Sequence, residues 1–206
     1  MDNDKTVCCD LLLVRARIID GSGTEPFEGC VAVKDGRITG LYRADAYELT
    51  ETGDLLRLTA QTSGKEILIR AEETVDAGGL CLTPGFIDIH AHSDLTLPHY
   101  PLSESRILQG VTTELTGNCG MSAFPVADGH REELAYYLRE CWDGRDFEWE
   151  SIGGYLSYLE KLGTSTNIGI LTGHGSIRLA VMGFSDAVPT DEEMAQMKAL
   201  LRRDLE

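Results

Sequence analysis

His90 and His92 stand two apart at the end of an apolar run, Phe86-Ile-Asp-Ile-His-Ala-His-Ser-Asp94, that follows Pro84-Gly85. In an extended strand, residues two apart face the same side. The two imidazoles therefore point together, with Asp88 behind them on that face and Asp94 close after. Their Cβ atoms, about 7 Å apart, allow both rings to converge on one metal ion at bond lengths of about 2 Å. The same spacing would also serve two histidines that hydrogen-bond loop carbonyls. A second β-branched stretch, Thr112–Thr116, runs into Gly117-Asn-Cys-Gly120. Glycines on both sides let the backbone turn sharply and bring Cys119 close to a neighbour. If the two strands pair side by side, Cys119 and the histidines share one mouth. A thiolate is a good zinc ligand, and the metal itself deprotonates it. The alternative for Cys119 is a small buried thiol.

The elements that carry these residues change character at Pro84. Residues 10–82 read as β structure. Val14-Arg-Ala-Arg-Ile18 alternates apolar and basic residues, as a half-buried strand does. Val31–Val33 and Ile38–Leu41 flank Asp35-Gly36, a pair suited to a tight primed turn. Leu55–Thr59 and Glu66–Arg70 predict two more short strands. After Pro84, strands alternate with helices. Phe86–His90 reads as a compact buried strand, Thr112–Thr116 as a second and Asn167–Leu171 as a third. Leu134, Leu138 and Cys141 share one helical face. So do Ile152, Tyr155, Leu156, Leu159 and Leu162, with Gly163 placed to end the helix. Thr190 and Glu193 form a capping-box start for a last helix with Met194, Met197 and Leu201 on its apolar face. The whole is an α/β chain of parallel β-α units behind a small sheet. Three such units leave an open sheet with long edges, whereas a closed eight-stranded barrel needs about 250 residues. The expectation is an N-terminal piece of a longer protein; a three-unit domain closed by self-association is the alternative.

With 206 residues, the chain has room for one good core or for one domain and part of another. A composition of 42% hydrophobic and 25% charged residues is that of a soluble globular protein. No apolar run approaches the ~18 residues of a membrane span, and the start, MDNDKTVCCD, lacks the basic and apolar regions of a secretory signal. A net charge of −16 repels phosphate backbones and anionic membranes, so neither nucleic acid nor membrane is expected as a partner. The six cysteines are scattered and form no CxxC pair, so free thiols in a cytoplasmic protein are the expectation.

The segments PGFIDIHAHSD, QGVTTELTGNCGMS and LTGHGSIRLAVMG resemble the amidohydrolase superfamily and, within it, the N-acyl-D-amino-acid deacylases or D-aminoacylases. The likeness runs over nearly the whole chain. HxH behind Pro-Gly is shared by much of the superfamily; GNCG after GVTT is far more specific. Many members bridge two metals with a carboxylated lysine, and the D-aminoacylase group resembles this chain in using a cysteine there. By that resemblance His90 and His92 are ligands of one metal site, and Cys119 is a thiolate that can bridge to a second, more tightly held zinc. The implied fold joins a β-sandwich to a (β/α)8 TIM-type barrel. Residues 1–82 would be the sandwich portion and 83–206 the first three β-α units.

The implied reaction is zinc-dependent hydrolysis of the amide bond of a small-molecule N-acyl-D-amino acid, giving a D-amino acid and a carboxylate. Two further histidine ligands and the aspartate general base would lie beyond Glu206, so no catalytic base is assigned within the chain, which alone is expected to be inactive. Two other readings stand beside this one. A cyclic amide or imide hydrolase would carry a bridging lysine on the fourth barrel strand, and GNCG argues against it. A non-catalytic truncated remnant would use its open strand edge for association. Residues 43–74 are longer than the usual link between sandwich and barrel, which predicts an extra hairpin. His174, in Gly173-His174-Gly175, follows a strand but is read as structural or as shaping the pocket rim.

Overall fold

A computed structural model describes residues 6–52, 55–142, 144 and 146–206; the N-terminal acidic stretch Met1–Lys5 lies outside the described residues. The chain divides into two compact units, Met1–Pro84 and Gly85–Glu206.

The first unit is a mixed sheet of seven strands: β1 (Val7–Ile18), β2 (Phe27–Lys34), β3 (Arg37–Arg43), β4 (Tyr47–Thr52), β5 (Leu55–Ala60), β6 (Glu66–Asp76) and β7 (Cys81–Leu82). Their order is β3-β2-β1-β6-β5-β4, with β7 also on β1. Strands β1 and β6 run parallel, and the hairpin partners run antiparallel. The turn between β2 and β3 is Asp35-Gly36, both at positive φ (51° and 69°), as a primed two-residue turn requires. β4 and β5 form the hairpin expected within residues 43–74. Leu12, Val14, Cys30, Ala32, Leu58 and Ile69 make the core of this unit. Burial alternates as expected over Val14–Ile18, with Arg15 and Arg17 exposed, and a bulge sits at Arg15, whose φ is 58° and where pairing with β2 slips between Leu13 and Ala16. The bulge turns the Arg15 guanidinium towards Asp76 (2.7 Å) and Glu51 (3.3 Å).

The second unit contains β8 (Phe86–Asp88), α1 (Glu104–Ile107), β9 (Val111–Thr116), α2 (Arg131–Tyr137), α3 (Ile152–Leu162), β10 (Asn167–Ile170), α4 (His174–Met182) and α5 (Asp191–Leu205). Three parallel strands lie in the order β10-β9-β8. Parallel strands need a crossover, and helices supply it. Ile168 and Ile170 of β10 pack on an aromatic-rich core that includes Phe124, Trp149, Tyr155 and Leu159. The Trp149 indole N–H donates to the Ala123 carbonyl, so the burial of that ring leaves its one polar atom satisfied. Ser151 caps the start of α3 by accepting from the Gly154 N–H, and Gly163, at φ 78°, ends it. Thr190 and Glu193 form the full capping box of α5.

Three expectations need correction. The strand expected over Phe86–His90 stops at Asp88 and is not buried, with Ile87 66% and Ile89 72% exposed. Its crossover holds only a four-residue α-helix rather than a full one. Helix α2 ends before Cys141, which is exposed and does not join Leu134 and Leu138 in the core. The Gly173-His174-Gly175 segment opens helix α4, with Gly173 as its N-cap.

Candidate metal centre

His90 leaves the sheet just past the end of β8, and His92 follows at the start of a 3-10 turn, Ser93–Leu95. Cys119 sits in the loop after β9, the neighbouring strand. Adjacent parallel strands thus deliver all three side chains to the same end of the sheet. His90 Nε2 lies 3.3 Å from Cys119 Sγ, and the ligand atoms of His90, His92 and Cys119 all lie within 4.8 Å of one another. The two imidazole rings are 5.8 Å apart between centroids. His90 and Cys119 are exposed and His92 is half-buried, so the group opens to solvent on one side.

The loop that carries Cys119 is held by close backbone approaches. Gly117 has φ 75°, and a Cβ there would stand 1.9 Å from the Leu171 carbonyl oxygen. A Cβ on Gly173 would stand 2.5 Å from the Gly120 carbonyl oxygen. Only glycine fits either place. Ser122 and Ser176, both fully buried, lock the loop to α4: Ser176 Oγ accepts from the Ser122 N–H and donates to its carbonyl. Cys119 itself has φ 56°, a left-handed conformation that costs a non-glycine residue about 1 kcal/mol or more. Such strain is held where surrounding structure over-determines it, and it turns the thiol towards the histidines.

Two residues tie the histidine segment to the cysteine loop. The Asn118 amide donates to the carbonyls of Ala91 (3.1 Å) and Leu115 (2.8 Å). The buried Asp94 carboxyl accepts from the Gly117 N–H at 3.3 Å, while its carbonyl accepts from the Tyr155 hydroxyl at 2.6 Å. Burial pushes the Asp94 carboxyl up to about 6, against the pull of the Gly117 N–H. Neither tie was assigned from sequence. The Asn inside GNCG and the Asp that closes HAHSD were the visible signals.

The donor set fits a zinc-like ion. Bonds of about 2.1 Å to nitrogen and 2.3 Å to sulfur at a tetrahedral angle leave about 3.6 Å between ligand atoms, close to the spacing of His90 and Cys119. Among the described residues, the buried Nδ1 of His92 has no hydrogen-bond partner. Imidazole and thiolate together favour zinc-like ions over magnesium or calcium. His174 is exposed at the first residue of α4 and stands outside the group. It borders a cavity of ≈ 450 Å³ that Cys119, Leu171, Leu201 and Asp204 also line.

A sequence profile described as "Amidohydrolase family" matches residues 73–206. The N-acyl-D-aspartate deacylase of Alcaligenes xylosoxydans xylosoxydans is 32% identical over 204 residues, which cover 99% of this chain and 36% of that protein. A D-aminoacylase of the same organism is 34% identical over 191 residues, covering 93% and 34%. Among solved structures, an N-acyl-D-glutamate deacylase from Bordetella bronchiseptica, complexed with zinc and a phosphonate inhibitor, matches with a TM-score of 0.73 at 28% identity. The match covers 96% of this chain and 36% of that one. The chain therefore spans about a third of the length of these relatives.

Proposed function

Because the chain belongs to the Amidohydrolase family, we propose that His90, His92 and Cys119 hold a divalent metal, zinc foremost, in a protein that hydrolyses the amide bond of N-acyl-D-amino acids. The observation that carries this reading is the convergence of the three ligand atoms within 4.8 Å, from two neighbouring strands. The relatives support the substrate class: they are deacylases of N-acyl-D-aspartate and N-acyl-D-glutamate and a D-aminoacylase. The metal identity is supported by the zinc in the Bordetella enzyme.

The same reading gives the second unit its role as the first three β-α units of a (β/α)8 barrel, residues 83–206, with residues 1–82 as the sandwich portion. Among the described residues, β8 and β10 each have one edge without a partner strand. Phe86, Ile87, Ile89 and Leu171 expose large apolar side chains on or beside those strands. Further strands would cover both. The metal ligands would then stand at the carboxyl ends of barrel strands, where such enzymes place their chemistry.

Within this site, His90 and His92 give neutral imidazole lone pairs and Cys119 gives a thiolate. Metal uptake therefore releases a proton and weakens as the pH falls. Asn118 and Asp94 keep the two ligand-bearing segments in register. When bound, zinc supplies Lewis acidity towards an amide carbonyl and acidifies water. This reading assigns no general base among the described residues, so the 206-residue chain by itself is expected to bind metal with little or no deacylation.

Elemental analysis of the purified chain tests the metal reading. Near-stoichiometric zinc is expected, and less than about a tenth of an equivalent would count against it. The substrate reading is tested on the whole protein with paired N-acetyl-D- and N-acetyl-L-amino acids. Release of free amino acid from the D-series alone is expected; turnover of cyclic amides with inert N-acyl-D-amino acids would replace it.

A further inference from the structure

We propose that Arg106 is a positioning residue of the metal centre: its guanidinium holds the Asp88 carboxylate, and Asp88 in turn fixes the backbone N–H of His90. The metal reading above enters only at the last step.

Strand β8 ends at Asp88, and the next N–H of that face, His90, is given to a side chain. It donates to Asp88 Oδ1 at 3.1 Å. The direction in which His90 leaves the strand is therefore set by the Asp88 carboxylate. The other oxygen of that carboxylate, Oδ2, accepts from Arg106 Nη1 at 2.8 Å. The same Nη1 stands 3.2 Å from Oε1 of Glu114, an ion-pair contact outside hydrogen-bonding geometry. Asp88 and Glu114 are register partners on adjacent parallel strands, so their Cβ atoms are about 5 Å apart. Glu114 is fully buried, and its Oε2 accepts from the Thr166 hydroxyl at 3.0 Å.

Two carboxylates at this spacing repel, and a buried one is costly without a cation. One guanidinium nitrogen serves both. Arg106 reaches them because α1 returns the chain to the base of β9 just ahead of Val111. Removing that charge would let Asp88 swing away from Glu114's side of the pair towards solvent, since its side chain is about a third exposed. The hydrogen bond to His90 would go with it.

The test is made on the whole 206-residue chain in two states. In the metal-free state, amide hydrogen exchange is followed by NMR at His90 and, as an internal control, at Leu171, whose N–H donates to Thr116 across β9 and β10. In the second, zinc affinity is measured by competition with a chromophoric chelator. The main variant is Arg106→Met/Glu114→Gln, which removes cation and buried charge together and keeps an acceptor for Thr166.

His90 exchange is expected to accelerate at least about five-fold, with Leu171 unchanged, and zinc binding to weaken about ten-fold or more. Arg106→Lys should restore part of both, and it decides alone if the double variant does not fold. His90 exchange within two-fold of wild type would overturn the proposal. So would equal acceleration at Leu171, or an unchanged zinc affinity despite a freed His90. A wild-type chain that takes up no zinc would end the metal reading, while the His90 exchange would still decide the role of Arg106.

Discussion

Replacing Gly117 with alanine places a methyl group 1.9 Å from the Leu171 carbonyl oxygen, 2.8 Å from its carbonyl carbon and 2.9 Å from its nitrogen. These are backbone atoms, so no side-chain rotation relieves the contact. The oxygen must retreat from 1.9 Å to at least 3.0 Å, a shift of 1.1 Å. Leu171 is also the residue whose N–H reaches the Thr116 carbonyl at 3.0 Å, the last link between β9 and β10. Losing that bond costs about 1 kcal/mol, and the overpacking adds about 1–3 kcal/mol. The left-handed φ of 75° adds about 1 kcal/mol for alanine, partly offset by the reduced freedom of the unfolded chain. The total is about 2–5 kcal/mol. Gly120 provides the control. Its φ is 77°, but a Cβ there meets only the Gly175 nitrogen, at 3.4 Å, so Gly120→Ala should cost about 1 kcal/mol or less. Both tryptophans, Trp142 and Trp149, are buried in the second unit, so urea unfolding followed by tryptophan fluorescence reports that unit alone. Because the Gly117 N–H also binds Asp94, the alanine variant should lose metal affinity as well. Equal unfolding midpoints for the two variants would refute the close-approach argument.

Three further outcomes are expected. Cys119→Gly should remove the thiolate ligand yet leave the metal-free chain no less stable, with a gain of up to about 1 kcal/mol from relief of the φ of 56°; urea unfolding and metal content measured on one sample check both halves. Asp76 is held down to about 2, first by its hydrogen bond with Arg15 and then by the Gly78 N–H. A depressed carboxyl stabilises the fold above its ordinary value of 3.8 and loses that contribution as the pH falls towards 2. The first unit, followed by circular dichroism, should therefore lose stability over that window less steeply in Arg15→Gln than in wild type. Thr190→Ala removes the capping box of α5 and should cost about 1 kcal/mol in the second unit, seen as a lower midpoint in the tryptophan-detected unfolding curve.

Features written in local sequence were legible. The Asp35-Gly36 turn, the Gly163 stop and the Thr190–Glu193 box each depend on residues within a few positions of one another, and each was expected from sequence and is found as expected. HxH and GNCG marked the three residues that the fold brings together. What sequence could not give was set by contacts between distant segments. Asn118 reaches back to Ala91, Asp94 to Gly117, and Ser122 to Ser176, and nothing local announces those partners. The apolar run Phe86–His90 looked like a buried strand because its composition is that of one. Burial depends on what packs against a strand, and here Ile87 and Ile89 stay exposed. Helix α4 was hidden by Gly173 and Gly175. These glycines are weak helix formers in isolation, but Gly173 is the N-cap and admits the Gly120 carbonyl.

The central claim is that His90, His92 and Cys119 bind one ion together. It is tested most directly by titrating the metal-free chain with cobalt(II), a spectroscopic substitute for zinc, and following the near-ultraviolet absorption that sulfur-to-cobalt charge transfer produces. The account predicts saturable absorption that zinc displaces, that disappears in Cys119→Ser, and that weakens in His90→Ala and His92→Ala. Absorption that persists in Cys119→Ser, or no saturable cobalt binding by the folded wild-type chain, would contradict it.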